Sequence, residues 1–315
     1  MNKLHDLSAL TKTKVPSAVT FVRKLNGASQ PAIVMTTGAS LYVVKLFGFG
    51  GPLALMKEAI GTELMRRMGL PVPGWSPILM TDEFIERNPQ LWFRTAGGGV
   101  IRPKAGLHFG SRLVLSGNGH PTYELVPSLW RQRIENPEAL AGAIVADLWM
   151  NNCDRRQMLF LDTGHGLLCV FIDQDHLFGG ILGDEQANPR RLMAYNAFLF
   201  GALRKRAIVD RWIRAVDRVN RTWFESTPDW IPSAWSDTDE LAQTREILLR
   251  RHARLNRLID EATDFLAADE IAPQATARYA AEPRMSFMAG LGSAHCEAPR
   301  TRGHREAEAT ERRLV

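Results

Sequence analysis

Cysteine is scarce in this 315-residue chain: Cys153, Cys169 and Cys296 are the whole set, and no CxxC pair occurs. That excludes a disulfide framework, gives no support to a structural zinc site and fits a reducing compartment, so the expected location is cytoplasmic. Long apolar runs are missing too. The longest in the middle of the chain, Leu167 to Ile172, covers six residues, against the ~20 that a spanning helix requires. The first 14 residues scatter Lys, His and Asp among isolated leucines and lack the apolar stretch of a signal peptide. Neither export nor a membrane partner is expected. Charge of one sign is not in large excess: 39 Lys and Arg against 34 Asp and Glu give a net charge of +5. That balance suits anionic ligands and does not by itself call for nucleic acid.

What is present is ordinary globular composition, 45% hydrophobic and 23% charged, in a chain long enough for two domains or lobes at roughly 150 residues each. Val19 to Val44 is β-like, with Val19, Phe21 and Val22, then Ile33-Val34-Met35, then Leu41-Tyr42-Val43-Val44, separated by Gly-containing turns. A helix is predicted over Leu53 to Met68, where Leu53, Met56, Ile60, Leu64 and Met68 form one apolar stripe and Gly69 with Pro71 stops it. Five glycines between Trp92 and Ser111 read as a mobile loop. The lobe boundary is expected between residues 105 and 130. Pro137 to Asn151 reads as a helix capped by Asn136, and Asp239 to Leu266 as one continuous helix with a solvated basic face of Arg250, Arg251, Arg254 and Arg257. Residues 271–315, with ten Ala, seven Arg and five Glu, read as a disordered tail.

The chemistry concentrates in two places. Asn151-Asn152-Cys153-Asp154-Arg155-Arg156-Gln157 leads through a strand and a Gly turn to Leu167–Ile172 and Asp173, which sets Asp154 and Asp173 at the two ends of one hairpin. Phosphoryl transfer needs such a pair, one carboxylate for the attacking hydroxyl and one for the magnesium. Upstream, Gly27 to Gln30 is a candidate phosphate turn, Lys45 closes the strand Tyr42-Val43-Val44, and Glu58 follows on the helix. Taken singly, each has a plainer reading: a β-turn for Gly27 and Ser29, a solvated strand end for Lys45, a surface charge for Glu58, and turn caps for Asp154 and Asp173. His108 and His176 lack paired metal spacing and read as packed or hydrogen-bonded. Trp223, Trp230 and Trp235 read as core packing around a helix connection.

In order along the chain, these segments resemble the HipA-like kinase family, in its compact single-chain branch. The resemblance is carried by Asn26-Gly27-Ala28-Ser29-Gln30-Pro31, Tyr42-Val43-Val44-Lys45, Glu58 before Gly69-Leu70-Pro71-Val72-Pro73, and His108-Phe109-Gly110-Ser111-Arg112. It continues with Asn152 to Gln157, Ile172 to Gly180, Pro228-Asp229-Trp230 and Arg250 to Leu255, and spans residues 15 to 268. It implies an α+β, two-lobed protein-kinase-like fold: residues 1–14 as an extension, 15–120 as an N-lobe with an antiparallel sheet, 121–270 as a helical C-lobe, and ATP with Mg²⁺ between them.

Carried over, Lys45 contacts the ATP phosphates with Gly27 and Ser29 in the turn above, and Glu58 holds Lys45. Asp154 is the catalytic base and Asp173 the magnesium ligand. The implied activity is transfer of the γ-phosphoryl group to a hydroxyl, with a protein Ser or Thr as expected partner and Ser29 as a candidate for self-phosphorylation. One position departs from the pattern. Relatives place an Asn five residues after the catalytic Asp, where this chain has Leu159; Gln157 is the candidate substitute ligand, and Arg155 and Arg156 add positive charge beside the phosphate. A nucleotide-binding pseudokinase and a small-molecule phosphotransferase are the alternatives; nucleic acid is not expected.

Overall fold

In the computed structural model the described residues are 15–267, apart from 28, 49–50, 96, 155, 180–202, 204, 224–229 and 236–237. The 1–14 extension, the 271–315 tail, Arg155 and the Pro228-Asp229 pair therefore lie outside the described residues. The architecture is α+β, with an antiparallel sheet in the N-terminal part and helices in the C-terminal part.

Three β-rich stretches become β1 (Ala18–Lys24), β2 (Ala32–Thr36) and β3 (Leu41–Lys45), paired antiparallel in sequence order. The turn at Thr37–Ser40 closes one end and the turn at Leu25–Pro31 the other. Because Lys24 pairs with Ala32 and Ala32 with Val44, the β1–β2 turn projects from the same end of the sheet as Lys45. Two further strands complete the order β1-β2-β3-β7-β4: β4 (Trp75–Met80) and β7 (Gly106–Arg112).

The glycine-rich segment is thus not a mobile loop throughout. Its first half is a small hairpin of β5 (Phe93–Arg94) and β6 (Val100–Ile101), and its second half is an inner strand. Gly110 is there because Ile78 of β4 presses on it: a Cβ at Gly110 would lie 2.4 Å from Ile78 Cγ1. A short helix, α2 (Asp82–Arg87), is capped by Thr81 Oγ1, which accepts from the Phe84 N–H at 3.2 Å.

Helix α1 (Gly51–Met68) ends as its sequence requires. Gly69 takes φ +91, and Leu70 N–H reaches back to Met65 O at 3.0 Å. It is buried on nearly every side, well beyond the single predicted stripe, and takes Lys57, Glu58 and Glu63 inside with it. Glu63 is neutralised there by Arg66 and Arg67.

The helical part is built around α3 (Glu138–Met150), whose residues from Ala139 to Met150 are all buried. Asn136 does not cap it. Its side chain bridges the Cys169 N–H and C=O instead, each at 2.9 Å, tying the helix entry to the second sheet. That sheet has the order β10-β9-β8, from β8 (Thr122–Tyr123), β9 (Gln157–Asp162) and β10 (Leu167–Ile172). Around α3 pack α4 (Arg206–Trp223), α5 (Thr238–Ala253) and α6 (Leu255–Ala267). The expected single helix over 239–266 breaks at Arg254, where Arg254 N–H bonds Arg251 O at 3.1 Å.

Trp235 is buried and donates to Leu107 O at 2.8 Å, while Trp230 lies edge-on to Trp75, so both pack between the sheet and the helices. Among the described residues no helix is long and apolar enough to cross a membrane.

Candidate active site

Three elements deliver charge to one point. Lys45 ends β3, Glu58 sits in the second turn of α1, and Asp173 follows β10. The Lys45 ammonium donates to Glu58 Oε2 at 2.7 Å, to Asp173 Oδ1, and pairs with Asp175 Oδ2 at 2.8 Å. Burial alone would depress the lysine, but the three carboxylates outweigh it and raise its pKa, so the ammonium stays charged. Burial and the two aspartates push Glu58 up to about 7 despite Lys45. Burial acts on Asp173 in the same sense, yet Lys45 more than offsets it and the carboxyl is held low; on Asp175 burial wins and the carboxyl is raised.

The backbone aims these groups. Asp173 takes φ +64, a left-handed conformation that Asp tolerates better than most residues, and it turns the chain sharply out of β10. Gln174 then returns its N–H to Glu58 Oε2 at 2.8 Å. Close packing holds the contact: α1 approaches this turn at Gly61, where a Cβ would lie 2.9 Å from Gln174 Cβ and 2.2 Å from Leu177 Cδ1.

Asp154 lies on the loop after α3. Asn151 ends the helix at φ +55, and Asn152 Oδ1 accepts the Asp154 N–H at 3.0 Å. Backbone bonds stitch this loop to the segment after β10: Cys153 N–H to His176 O, Phe178 N–H to Met150 O, and Gly179 N–H to Asn151 O. Residues 154 and 173 accordingly flank the open mouth of the β9–β10 hairpin, where Gln157 pairs with Ile172; they are not at its opposite ends. The Asp154 side chain is 46% exposed and its Oδ2 stands 3.8 Å from His176 Nε2, which in turn is 3.6 Å from Asp175 Oδ1. His176 thus bridges the two acids, a role that its sequence spacing did not signal.

Arg156 departs from expectation. It is only 2% exposed, so it offers no charge to a phosphate. Its guanidinium is forked onto buried Asp147 of α3 through Nε at 3.1 Å and through Nη2, and Nη1 donates to Gln174 Oε1 at 2.5 Å. It locks the two loops together. Asp147 and Gln174 are the residues that sequence reading missed, an acid inside an apolar helix and an amide between two acids.

Gln157 donates its amide N–H to Asp173 Oδ2 at 2.5 Å, orienting that carboxylate. Leu159 is buried in β9 and presents nothing to the site. Gly27, at φ +140, and Ser29 lie in the β1–β2 turn at Lys45's end of the sheet. The Gln30 amide clamps that turn to Arg94 of β5 with bonds of 2.7 and 3.0 Å. His108 is buried and accepts the Phe47 N–H on Nδ1 at 2.7 Å.

The donor set suits a hard divalent cation. Glu58, Asp173 and Asp175 each bring a carboxylate oxygen, all within 4.8 Å of one another, and Asp175 Oδ1 is a buried oxygen with no hydrogen-bond partner.

No family model matches the chain, and no curated protein matches it. Solved structures overlap it loosely. The Helicobacter pylori proinflammatory kinase CtkA has a TM-score of 0.46 at 12% identity, over 81% of this chain and 99% of that one. The Golgi casein kinase with Mn/ADP bound gives 0.41 at 10% identity, over 79% and 74%. HipA of the Shewanella oneidensis HipA–HipB–operator DNA complex gives 0.38 at 12%, over 80% and 68%.

Proposed function

We propose that this chain is a HipA-like, ATP-dependent kinase that transfers the γ-phosphoryl group to a hydroxyl, with a protein Ser or Thr as acceptor. The observation that carries the reading is the convergence of Lys45, Glu58 and Asp173 from three separate elements onto one ammonium. A lone surface lysine would not be buried among three acids, because desolvating that much charge is costly unless the arrangement is used.

Lys45 places its charge against the phosphates, with Glu58 fixing its position through α1. Asp154, open to solvent, accepts the proton of the attacking hydroxyl as the new P–O bond forms and the β–γ bridging bond breaks. Asp173 and Asp175 are the residues that would hold Mg²⁺, with Gln157 orienting Asp173. When bound, the ion neutralises phosphate charge. In this reading Asp175 supplies the second metal ligand that Leu159 cannot. The β1–β2 turn with Gly27 and Ser29 covers the phosphates. The proposed lobe boundary lies between residues 105 and 130, with 15–120 as one lobe and 121–270 as the other, and the cytoplasm is the proposed location.

The test is phosphorylation with labelled ATP and Mg²⁺ against a protein pool and a panel of sugars, nucleosides and aminoglycosides. Label in protein, lost in Asp154→Asn, supports the reading. Label in a small molecule replaces the acceptor. ADP and Mn²⁺ binding without any turnover makes the chain a nucleotide-binding module.

A further inference from the structure

At the C-terminal end of α3 a cavity of about 100 Å³ is lined by Asn151, Ile247, Arg250, Arg251, Arg254 and Leu258. Three arginines share one small hollow. Arg250 stands 3.7 Å from Glu246. Arg251 uses its Nε on Leu148 O at 2.8 Å, a C-terminal cap on α3. Among the described residues no carboxylate pairs with Arg251 or with Arg254. Burial and the neighbouring Arg254 charge lower Arg251 to about 10, a guanidinium still charged at neutral pH.

Several other arginines on these helices are held by acids. Arg206 is held by Asp210 and Asp260, Arg211 by Glu138, and Arg257 by Glu261. The solvated basic face expected over Arg250–Arg257 is thus two different things: Arg250 and Arg257, each beside a glutamate, and Arg251 with Arg254, which face no carboxylate among the described residues.

We propose that this pocket is a binding site for a single phosphoryl group, presented by a phosphorylated side chain of a protein ligand. Two guanidinium forks without an acid between them match a dianionic oxyanion in charge and in donor geometry. The volume selects one such group, being well below the ~300 Å³ at which pockets for whole small ligands begin. A nucleic-acid backbone would need a run of free cations, and the arginines on either side, Arg250 and Arg257, already stand beside glutamates. Asn151 lines the hollow and opens the loop that carries Asp154, so an occupant would rest against the start of that loop. The site does not depend on the kinase reading, since Asp154, Asp173 and Lys45 take no part in it.

The probe is an acetyl-Gly-phosphoserine-Gly-amide peptide, followed by ³¹P line broadening on titration with the full chain. Saturable broadening is expected that persists in Lys45→Met and weakens about tenfold or more in Arg254→Gln, the loss of one charge-assisted contact. Arg251→Lys, which keeps the charge but loses the fork, should weaken it as well; both variants are checked for an unchanged melting temperature. Absence of broadening with the wild-type chain overturns the proposal. So does broadening that vanishes only in Lys45→Met, which assigns it to the other cleft. Inorganic phosphate binding as tightly as the peptide overturns the side-chain source, and a 20-base-pair duplex that displaces the peptide in an Arg254-dependent way replaces it with nucleic acid.

Discussion

Glu58 and Gln174, on elements 116 residues apart, are joined by a 2.8 Å bond from the Gln174 backbone N–H to the Glu58 carboxylate. The oxygen that receives it, Oε2, is the one that holds Lys45. Lys45 and the turn that follows Asp173 are therefore fixed to one carboxylate oxygen, and the expected effects of substitution follow from that sharing.

If Asp154 is the base, Asp154→Asn should lower phosphoryl transfer by about 10²- to 10⁴-fold. Its side chain is half exposed and touches neither Lys45 nor Asp173 directly, so the affinity for ADP, measured calorimetrically, should stay within about twofold. A comparable loss of ADP binding would remove the assignment.

Asp175→Asn should weaken Mn²⁺ binding in the presence of ADP by about tenfold or more, read by electron paramagnetic resonance, because a carboxylate ligand is removed while shape is kept. Leu159→Ala should leave it unchanged. Equal Mn²⁺ affinity in Asp175→Asn and wild type would return the second ligand to Gln157.

At Gly61, a methyl group would collide with Gln174 Cβ and Leu177. Overpacking costs about 1–3 kcal/mol, and the better helix propensity of alanine returns about 1. Gly61→Ala should therefore unfold at modestly lower denaturant yet lose ADP affinity by far more than that destabilisation, since it wedges α1 away from the turn bearing Asp173. A loss of stability with intact ADP binding would break the proposed link.

Removing Arg156 leaves Asp147 charged, buried and unpaired. Arg156→Met should cost about 3–5 kcal/mol of stability, and the double variant with Asp147→Asn or Asp147→Leu should recover part of it. Denaturant melts of the three chains decide this; additive losses would mean that the pair is not coupled.

Burial lowers His108 to about 4 from 6.5, so the folded chain binds its proton less readily than the unfolded one. Its contribution is intact above pH 6.5 and is lost as pH falls from 6.5 towards 4, amounting to about 3 kcal/mol. Across that window the wild-type chain should lose more stability than His108→Leu, compared by melts at each pH. Parallel curves would assign the acid sensitivity to other groups.

Much of this was legible in the sequence, for a physical reason. Strand alternation and helix periodicity are local, and β1, β2, β3, α1 and the β9–β10 hairpin follow from them. Glycine is where local reading fails: at Gly110 it marks a neighbour's close approach, which exists only once Ile78 is placed beside it. Arg156 failed likewise, because its charge reads as available until the buried Asp147, 9 residues earlier, turns out to face it. His176 reads from the sequence only as packed or hydrogen-bonded, and Asp175, two residues after Asp173, reads as a loop-stabilising acid that could share the cation; their meeting with Asp154 and Lys45 depends on the left-handed step at Asp173.

The ladder of main-chain bonds between residues 150–153 and 176–179 has a mechanical consequence. Main-chain atoms make it, and the buried Arg156 side chain braces the same two segments from behind. Asp154 and the two acids beyond β10 are thereby carried on joined segments, a single plate, so a shift of one would carry the others along, and a change of ligand would reshape the surroundings of that plate before altering the spacing within it.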